Sequence, residues 1–239
     1  MKGRSNKEVL IVPSISISGK PIKIITVIKE KQKEKRMPIV ANERDYNIPG
    51  LIENTEIYGW KETLIAAGYP MQTGEVEPSE YLRKEYKRAV KLGGTPIGSG
   101  HDNFLNGFIV QFDLIFTKQA WSEAERYHFL DFVSSCSTIH KLAKFELESC
   151  YNKYVNGEII AIMEKLQKNY NDNPTEDNFL TLIYSNPVGF KLRARMTTNY
   201  RQLKTIYYQR RNHKLPEWRE FCKWIEGLPL MEDILDIDS

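Results

Sequence analysis

The chain has 239 residues, of which 41% are hydrophobic and 27% charged, and its formal net charge is +3. These are ordinary values for a globular protein, and they allow residues 1–239 to form a single domain. No apolar stretch approaches the length of a membrane span, and the first four residues, MKGR, lead into no apolar signal segment. We therefore expect a cytoplasmic protein with no membrane partner.

The cysteines and histidines do not have the spacing of a metal site. Cys136, Cys150 and Cys222 are odd in number, and the four histidines are scattered along the chain. Because zinc ligands occur as closely spaced pairs, these residues indicate reduced thiols and no bound metal.

The first hundred residues predict a hairpin followed by helices. In residues 9–28, isoleucines alternate with polar residues around the turn Ser18-Gly19-Lys20-Pro21, and residues 29–36 are a charged tip or loop. Residues 41–58 have no clear period and are predicted as a loop with one short strand. Residues 60–67 and 79–92 have helical periodicity, and Gly93-Gly94 ends the second helix.

Residues 93–100, GGTPIGSG, are rich in glycine and open the central part of the chain. Backbone amides of such a loop can hold a phosphate, but the Lys-Ser/Thr pair of a P-loop is missing, so a flexible connector is favoured. A strand is predicted at 108–116 and a helix at 117–132. Further helices are predicted at 141–170, with a break at Asn156-Gly157, and at 175–184, capped by Thr175.

The segment 193–224 concentrates positive charge. From residue 191 to residue 224 there are ten lysines and arginines against two glutamates, with tyrosines between them. Such a pattern is typical of a site for an anion that carries an aromatic ring, and the alternative is a solvated basic helix.

The first half of this segment predicts a helix that begins near Asn199, with Thr197 or Thr198 as its cap. Asn199, Leu203, Ile206 and Arg210 then share one face, and Arg201, Lys204 and Tyr208 fall elsewhere on the surface. An inward-pointing Arg210 needs an anion or a carboxylate to meet it, and no acidic residue lies beside it in the sequence. Pro216 begins a second helix, which runs through Trp224.

The pattern Asn-x-Arg-…-Arg, followed by a short link into PEWREF, resembles the last conserved block of the flavin-dependent thymidylate synthases, the ThyX family. Asn199, Arg201 and Arg210 keep the spacing of that block. The resemblance implies that Arg210 contacts deoxyuridylate and that Asn199 and Arg201 lie beside nucleotide and flavin.

A second stretch is similar to the other hallmark of the family, R-H-R-x-x-S-x-N-E-x-S-x-R-Y. Residues 127–140 align with it without a gap, so that His128 falls on the family's histidine and Ser137 on the serine beside the substrate. Both blocks occur in the right order, and together the resemblance covers about residues 100–224. The first 99 residues match less clearly.

The departures from the second block concern the flavin. Tyr127 and Phe129 replace the two arginines that hold flavin in the family, and Ile139 replaces a third arginine. Each lost charged hydrogen bond costs about 1.5–3 kcal/mol, so we expect no flavin bound in the family's way. A shift of one residue would place Arg126 on the first arginine but would lose both matched residues.

The resemblance implies an α+β fold, with an antiparallel or mixed sheet packed against helices at 119–134 and 198–212. It also implies a homotetramer, because the family builds its sites between subunits. For His128, a packed histidine on a helix face is favoured over a catalytic base.

Three functions remain open. The first is a nucleotide-binding protein that has lost flavin chemistry, similar to the divergent ThyX-like proteins of phages and able to sequester a uridine-type or cyclic nucleotide signal in a host cytoplasm. The second is a divergent synthase that methylates dUMP with FAD, and the third is a nucleic-acid binder using residues 193–224. The candidate nucleotide site consists of Ser137, Asn199, Arg201, Tyr207 or Tyr208, and Arg210, with His128 and Arg211 as accessory residues and no cofactor expected.

Overall fold

A computed structural model describes residues 45–74, residue 78 and residues 82–235 of the chain. The hairpin predicted at 9–28 and the charged run at 29–36 lie outside the described residues. Everything below concerns the described part.

Helices and one antiparallel sheet make up the described part, which confirms the predicted α+β class. The sheet has the strand order β1-β2-β4-β3, and every neighbouring pair is antiparallel. Its strands are β1 Ile52–Tyr58, β2 Ile109–Thr117, β3 Leu130–Ser135 and β4 Lys191–Asn199. The helices are α1 Trp60–Ala66, α2 Arg83–Gly93, α3 Lys118–Ala124, α4 Thr138–Lys141, α5 Leu147–Cys150, α6 Gly157–Asp172, α7 Glu176–Ser185, α8 Tyr200–Arg210, α9 Pro216–Gly227 and α10 Met231–Ile234.

The core lies on one face of the sheet, because alternate residues of a strand point to opposite faces. Phe112 and Leu114 of β2 are fully buried and lie opposite Met196 and Ala194 of β4. Helices α8 and α9 cover this face. Trp224 of α9 packs on Phe112, with ring centroids 4.6 Å apart.

A second apolar cluster lies in the helical segment that joins β3 to β4. Its six buried members come from α5, α6, α7 and the turns that flank them: Leu142, Leu147, Tyr151, Met163, Leu182 and Phe190. Both ends of the segment meet the sheet side by side, since the Cys136 amide donates to the Arg193 carbonyl at 2.9 Å. We call residues 138–190 the helical insert.

The helix predicted at 117–132 is wrong in its second half, as is the predicted helix at 119–134. Helix α3 ends at Ala124, and Phe129 takes a left-handed backbone conformation with φ of 63°. Residues 130–135 then pair with the free edge of β4, from Leu130 opposite Thr198 to Ser135 opposite Ala194. Tertiary pairing therefore overrides the helical period of this stretch.

The predicted helix at 141–170 is correct only in its second half. The first half is broken into short turns, and Tyr151 forms an isolated bridge with Phe190. Helix α6 begins at Gly157, because the Asn156 side chain accepts a hydrogen bond from the Glu158 amide and caps it.

Other elements lie where the sequence predicts them, with differences of a few residues at their ends. The predictions near 60–67, 108–116, 175–184 and 216–224 correspond to α1, β2, α7 and α9, and residues 79–81 lie outside the described part of α2. Asn199, rather than Thr197 or Thr198, caps α8, because both threonines continue strand β4.

Candidate functional site

The predicted site residues of α8 fall into two groups at its opposite ends. Asn199 and Arg201 lie at the N-terminal end, and Arg210 and Arg211 lie at the C-terminal end. At 1.5 Å per residue, Arg201 and Arg210 are separated by about 14 Å along the helix axis. One small ligand does not contact both groups.

At the N-terminal end, Arg201 lies beside a buried aspartate. The Asn199 side chain accepts from the Gln202 amide at 2.9 Å and so caps the helix. Arg201 Nε lies 3.5 Å from Asp102 Oδ1, and the Arg201 side chain is 37% exposed whereas that of Asp102 is 1% exposed. This contact is an ion pair without a hydrogen bond, and the Arg201 side chain remains partly open to solvent.

Lys204 is buried at 2% exposure, which corrects its predicted place on the outer face of α8. Its Nζ donates to the carbonyls of Gly93 and Thr95, at 2.8 and 2.6 Å, and to Asp102 Oδ2 at 3.0 Å. The three acceptors satisfy the three ammonium protons, which makes burial of the charge tolerable. Lys204 thereby fastens both ends of the glycine-rich loop to α8.

The middle of this loop is open. Gly98 and Gly100 have φ of 88° and 79°, and a Cβ added at either position would meet nothing within 4 Å. The loop is therefore fixed at its ends and exposed between them. Its exposed middle agrees with a flexible connector, and its fixed ends agree with a loop that holds a phosphate.

At the C-terminal end of α8, Arg210 meets a carboxylate, one of the two kinds of partner that its inward position calls for. Arg210 Nη1 lies 2.7 Å from Glu123 Oε2, and Arg210 Nε donates to Tyr127 Oη at 2.6 Å. Its guanidinium also lies over the Trp218 ring, 4.9 Å from the centroid. Glu123 comes from α3, which sequence proximity to Arg210 does not reveal.

The turn that matches the family's flavin-binding motif carries no arginine at its two matched positions. Tyr127 Oη donates to Gln209 Oε1 at 2.9 Å, so the phenol bridges Gln209 and Arg210. Phe129 is 65% exposed, and His128 between them is also exposed, not packed on a helix face as predicted. At the position of the first of these arginines, Tyr127 instead makes hydrogen bonds to other residues of the chain.

Of the two tyrosines proposed for stacking, Tyr207 does not face a ligand. Tyr207 is 1% exposed, whereas Tyr208 is 36% exposed. The Arg211 guanidinium contacts both rings, 5.7 Å from the Tyr207 ring centroid and 5.6 Å from that of Tyr208. Tyr208 is thus the accessible ring of the pair.

Ser137 lies far from Asn199 within one chain. It caps the short helix α4 by accepting from the His140 amide at 3.2 Å. Its neighbour Cys136 is bonded to Arg193, six residues before Asn199 on β4, a distance of about 20 Å along an extended strand.

Acids from other elements pair with several cations of the basic segment. Besides the pairs already described, Arg193 Nη2 lies 2.6 Å from Glu53 Oε2, and Arg195 Nη1 lies 3.3 Å from Asp113 Oδ1. Part of the excess positive charge that the sequence indicates is therefore balanced by acidic residues of the fold.

A cleft that sequence reasoning missed lies between α3 and the strands β3 and β4. It has a volume of about 250 Å³, and we call it the Lys118 cleft after its cation. Burial lowers the pKa of the Lys118 ammonium below its usual 10.5, and among the described residues no carboxylate forms an ion pair with it. The cleft was missed because Phe132, one of its walls, was predicted on a helix. Its lining consists of Lys118, Trp121, Ser122, Glu125, Phe132, Ser135, Leu192 and Ala194.

Among the residues that the structure describes, no group of histidine, cysteine and acidic side chains could hold a metal ion. Nor is any helix in this part both long and apolar enough to cross a membrane.

The geometry defines a ThyX-like α+β fold. Two crystal structures of flavin-dependent thymidylate synthase ThyX from Helicobacter pylori, both with FAD and dUMP, are similar to this chain, with TM-scores of 0.62 and 0.63 and 18% identity in each case. They cover 78% and 79% of this chain, and 100% and 97% of their own chains are matched. No protein-family model and no curated protein matches the sequence. The ThyX-like fold inferred from two short blocks is therefore confirmed, and its phage-type divergence stays a prediction.

Proposed function

We propose that this protein binds a uridine-type or cyclic mononucleotide on a ThyX-like scaffold without flavin chemistry. The observation that carries the proposal is the shared face of Arg201 and Tyr208 on α8. Arg201 and Tyr208 are seven residues apart, which is almost two full helical turns. Their side chains therefore lie on the same side of the helix, about 10 Å apart along its axis. That span suits a nucleotide with its phosphate at one end and its base at the other.

Arg201 is suited to the phosphate. Its guanidinium presents a planar fork that matches phosphate oxygens, and only its Nε lies near a carboxylate, 3.5 Å from Asp102 Oδ1. No second carboxylate pairs with it among the described residues, and the open glycine-rich loop lies beside it. Tyr208, with its exposed ring, offers the base a stacking surface.

Arg210 has a different place in this proposal. Because Glu123 and Tyr127 occupy its guanidinium, we assign it a structural role, and the nucleotide contact predicted for it stays a prediction. Ser137 reaches the nucleotide only from another subunit, which agrees with the proposed homotetramer. Light scattering should give a tetramer mass, and a monomer at micromolar concentration would contradict this part.

The absence of flavin chemistry rests on Tyr127 and Phe129. Neither side chain can pair with a flavin phosphate, and the Tyr127 hydroxyl is engaged by Arg210. The purified protein should be colourless, and a flavin absorption band near one per chain after gel filtration would favour the divergent synthase that methylates dUMP with FAD. That alternative is supported by the FAD and dUMP in the similar structures. A role in sequestering a nucleotide signal requires binding without turnover.

The direct test is calorimetric titration of the protein with dUMP, UMP and cyclic nucleotides. Arg201→Ala should weaken binding of the best ligand about 10- to 150-fold, since a charged hydrogen bond contributes about 1.5–3 kcal/mol. Lys223→Ala is the matched control, because Lys223 is an exposed cation of α9 that pairs only locally with Glu220. Equal affinities in folded Arg201→Ala and wild type would reject the site.

A nucleic-acid binder remains the third alternative. It would show a steep loss of affinity with salt, because many phosphates would be contacted, whereas a mononucleotide site gives a shallow dependence. The ion pairs of Arg193, Arg195 and Arg210 with acids of the same chain favour the mononucleotide.

A further inference from the structure

The Lys118 cleft is separate from the Arg201 site. Leu192 and Ala194 at its floor belong to the first half of β4, whereas Arg201 follows the last residue of that strand. A ligand in the cleft therefore does not depend on the nucleotide proposed above.

The cleft has a positively charged residue at one end and a negatively charged residue at the other. Lys118 begins α3 and lies partly buried without an ion-pair partner among the described residues. Glu125 lines the same cleft two helical turns further, about 10 Å away along the axis. A desolvated ammonium attracts an anion, and the carboxylate at the other end accepts hydrogen bonds and repels a second negative charge.

The walls between these charges are aromatic. Trp121 and Phe132 have ring centroids 4.9 Å apart and an interplanar angle of 40°, so together they form a tilted wall of the cleft. Trp121 Nε1 donates to the Leu192 carbonyl at 3.1 Å, which fixes the indole plane. Phe132 remains 45% exposed, and an aromatic ring is the ligand group that stacks best on such a wall.

The volume limits the ligand to one ring. At about 250 Å³, the cleft lies just below the range of about 300–1,000 Å³ that is common for drug-sized ligands. A dinucleotide such as FAD is too large for it.

We propose that the Lys118 cleft binds a single-ring aromatic carboxylate. The ring packs on Trp121 and Phe132, the carboxylate pairs with Lys118 Nζ, and a ring N–H donates to Glu125. The preferred ligand class is thus a heteroaromatic carboxylate with an N–H group on the side opposite its acid group.

Three probes separate these contributions in titrations of the full chain. Orotate carries a ring, a carboxylate and N–H donors, whereas benzoate lacks the donors and uracil lacks the carboxylate. Orotate should bind most tightly and uracil at least tenfold more weakly. Binding of uracil as tight as that of orotate, or no orotate binding at millimolar concentration, would overturn the proposal.

Variants identify the residues. Lys118→Met should weaken orotate binding at least tenfold, Lys118→Arg should retain most of it, and Phe132→Ala, at a partly exposed position, should weaken it severalfold. Glu125→Gln should narrow the preference for orotate over benzoate. Lys61→Met, on the exposed side of α1, is the control and should bind as wild type does. Unchanged orotate affinity in both Lys118→Met and Phe132→Ala would reject the cleft.

Two further measurements distinguish the Lys118 cleft from the proposed nucleotide site. Arg201→Ala should bind orotate normally, and a loss of orotate binding in that variant would place the ligand at Arg201 instead. Orotate affinity should also fall as pH rises through the lowered pKa of Lys118, because the neutral amine does not attract the carboxylate.

Discussion

Glu123 of α3 and Arg210 of α8 form a 2.7 Å ion pair in which both side chains are mostly buried. His213 Nε2 lies 3.1 Å from the same carboxylate oxygen, and Tyr127 holds the Nε of the arginine. The pair therefore joins the helix after β2 to the helix after β4. Arg210, which the sequence predicts as a ligand contact, thus links two secondary-structure elements.

Arg210→Ala should lower the free energy of unfolding by about 2–4 kcal/mol, because Glu123 and Tyr127 lose their partner in a poorly solvated place. Urea denaturation measures this loss. Arg210→Ala combined with Glu123→Gln should cost less than the sum of the single changes, since the uncompensated carboxylate is then removed. Additive losses would show that the pair contributes nothing to stability.

Lys204→Met should be more damaging than Arg210→Ala. It leaves Asp102 buried without its ammonium and two carbonyls without a donor, and the breaking of such a buried pair costs about 3–5 kcal/mol. Thermal melts of Lys204→Met beside Lys223→Met, an exposed lysine, provide the comparison. Equal melting temperatures would contradict the buried tether.

Gly59→Ala and Gly50→Ala form a matched pair, because both glycines have φ of 73°. A Cβ at Gly59 would lie 2.5 Å from the Gly107 carbonyl oxygen, whereas one at Gly50 would meet nothing within 4 Å. Gly50→Ala should cost about 1–2 kcal/mol from backbone strain alone, and Gly59→Ala clearly more. The difference in urea midpoints measures the steric clash, and equal costs would disprove it.

Thiol reactivity should separate Cys136 from Cys222. Cys136 is exposed, whereas burial raises the pKa of the Cys222 thiol to about 12. In native protein at pH 8, a thiol reagent should modify Cys136 rapidly and Cys222 only after denaturant is added. Peptide mapping identifies the modified residues, and early labelling of Cys222 would contradict its burial.

The same pKa predicts an alkaline loss of stability. The unfolded chain releases the Cys222 proton from about pH 9, whereas the folded chain holds it to about pH 12, so the free energy of unfolding falls over this window. The fall should be of the order of 2 kcal/mol by pH 11. Cys222→Ala is less stable at neutral pH but should have a flatter profile, and an identical slope in both proteins would contradict the assignment.

Lys118→Met should raise the melting temperature. The lowered pKa of Lys118 means that its charge is disfavoured in the fold, so this cost is present at neutral pH and is relieved as pH rises towards 10.5. Differential scanning calorimetry at pH 7 and pH 10 should show a larger gain at pH 7. A lower melting temperature in the variant would mean that the ammonium has a stabilising partner.

The sequence predicts the central architecture well because the signals there are local. The alternation in residues 108–116 produces the buried face of β2, Thr175 caps α7 as predicted, and the predicted break at Asn156-Gly157 is the start of α6. The two ThyX-like blocks fall on β3 with α4 and on α8 with α9, which are elements of the observed fold.

What the sequence misses depends on contacts between distant residues. Asp102 is 102 positions from Lys204 and Glu123 is 87 positions from Arg210, so neither partner is visible from local spacing. Residues 130–135 have residue types that suit either a strand or a helix, and only the free edge of β4 decides between them. The Lys118 cleft depends on that decision. The proposed site residues themselves, and the single domain spanning 1–239, stay predictions.

The helical insert also has a consequence for the evolution of the chain. It enters and leaves the sheet at Cys136 and Arg193, which are hydrogen-bonded neighbours, and it encloses an apolar cluster of its own. Adjacent entry and exit points mean that a segment of this kind can be lengthened, shortened or replaced by a tight turn while β3 and β4 keep their register. Since that register positions Asn199 and the start of α8, residues 138–190 can diverge freely in length while the Arg201 face of the helix is preserved.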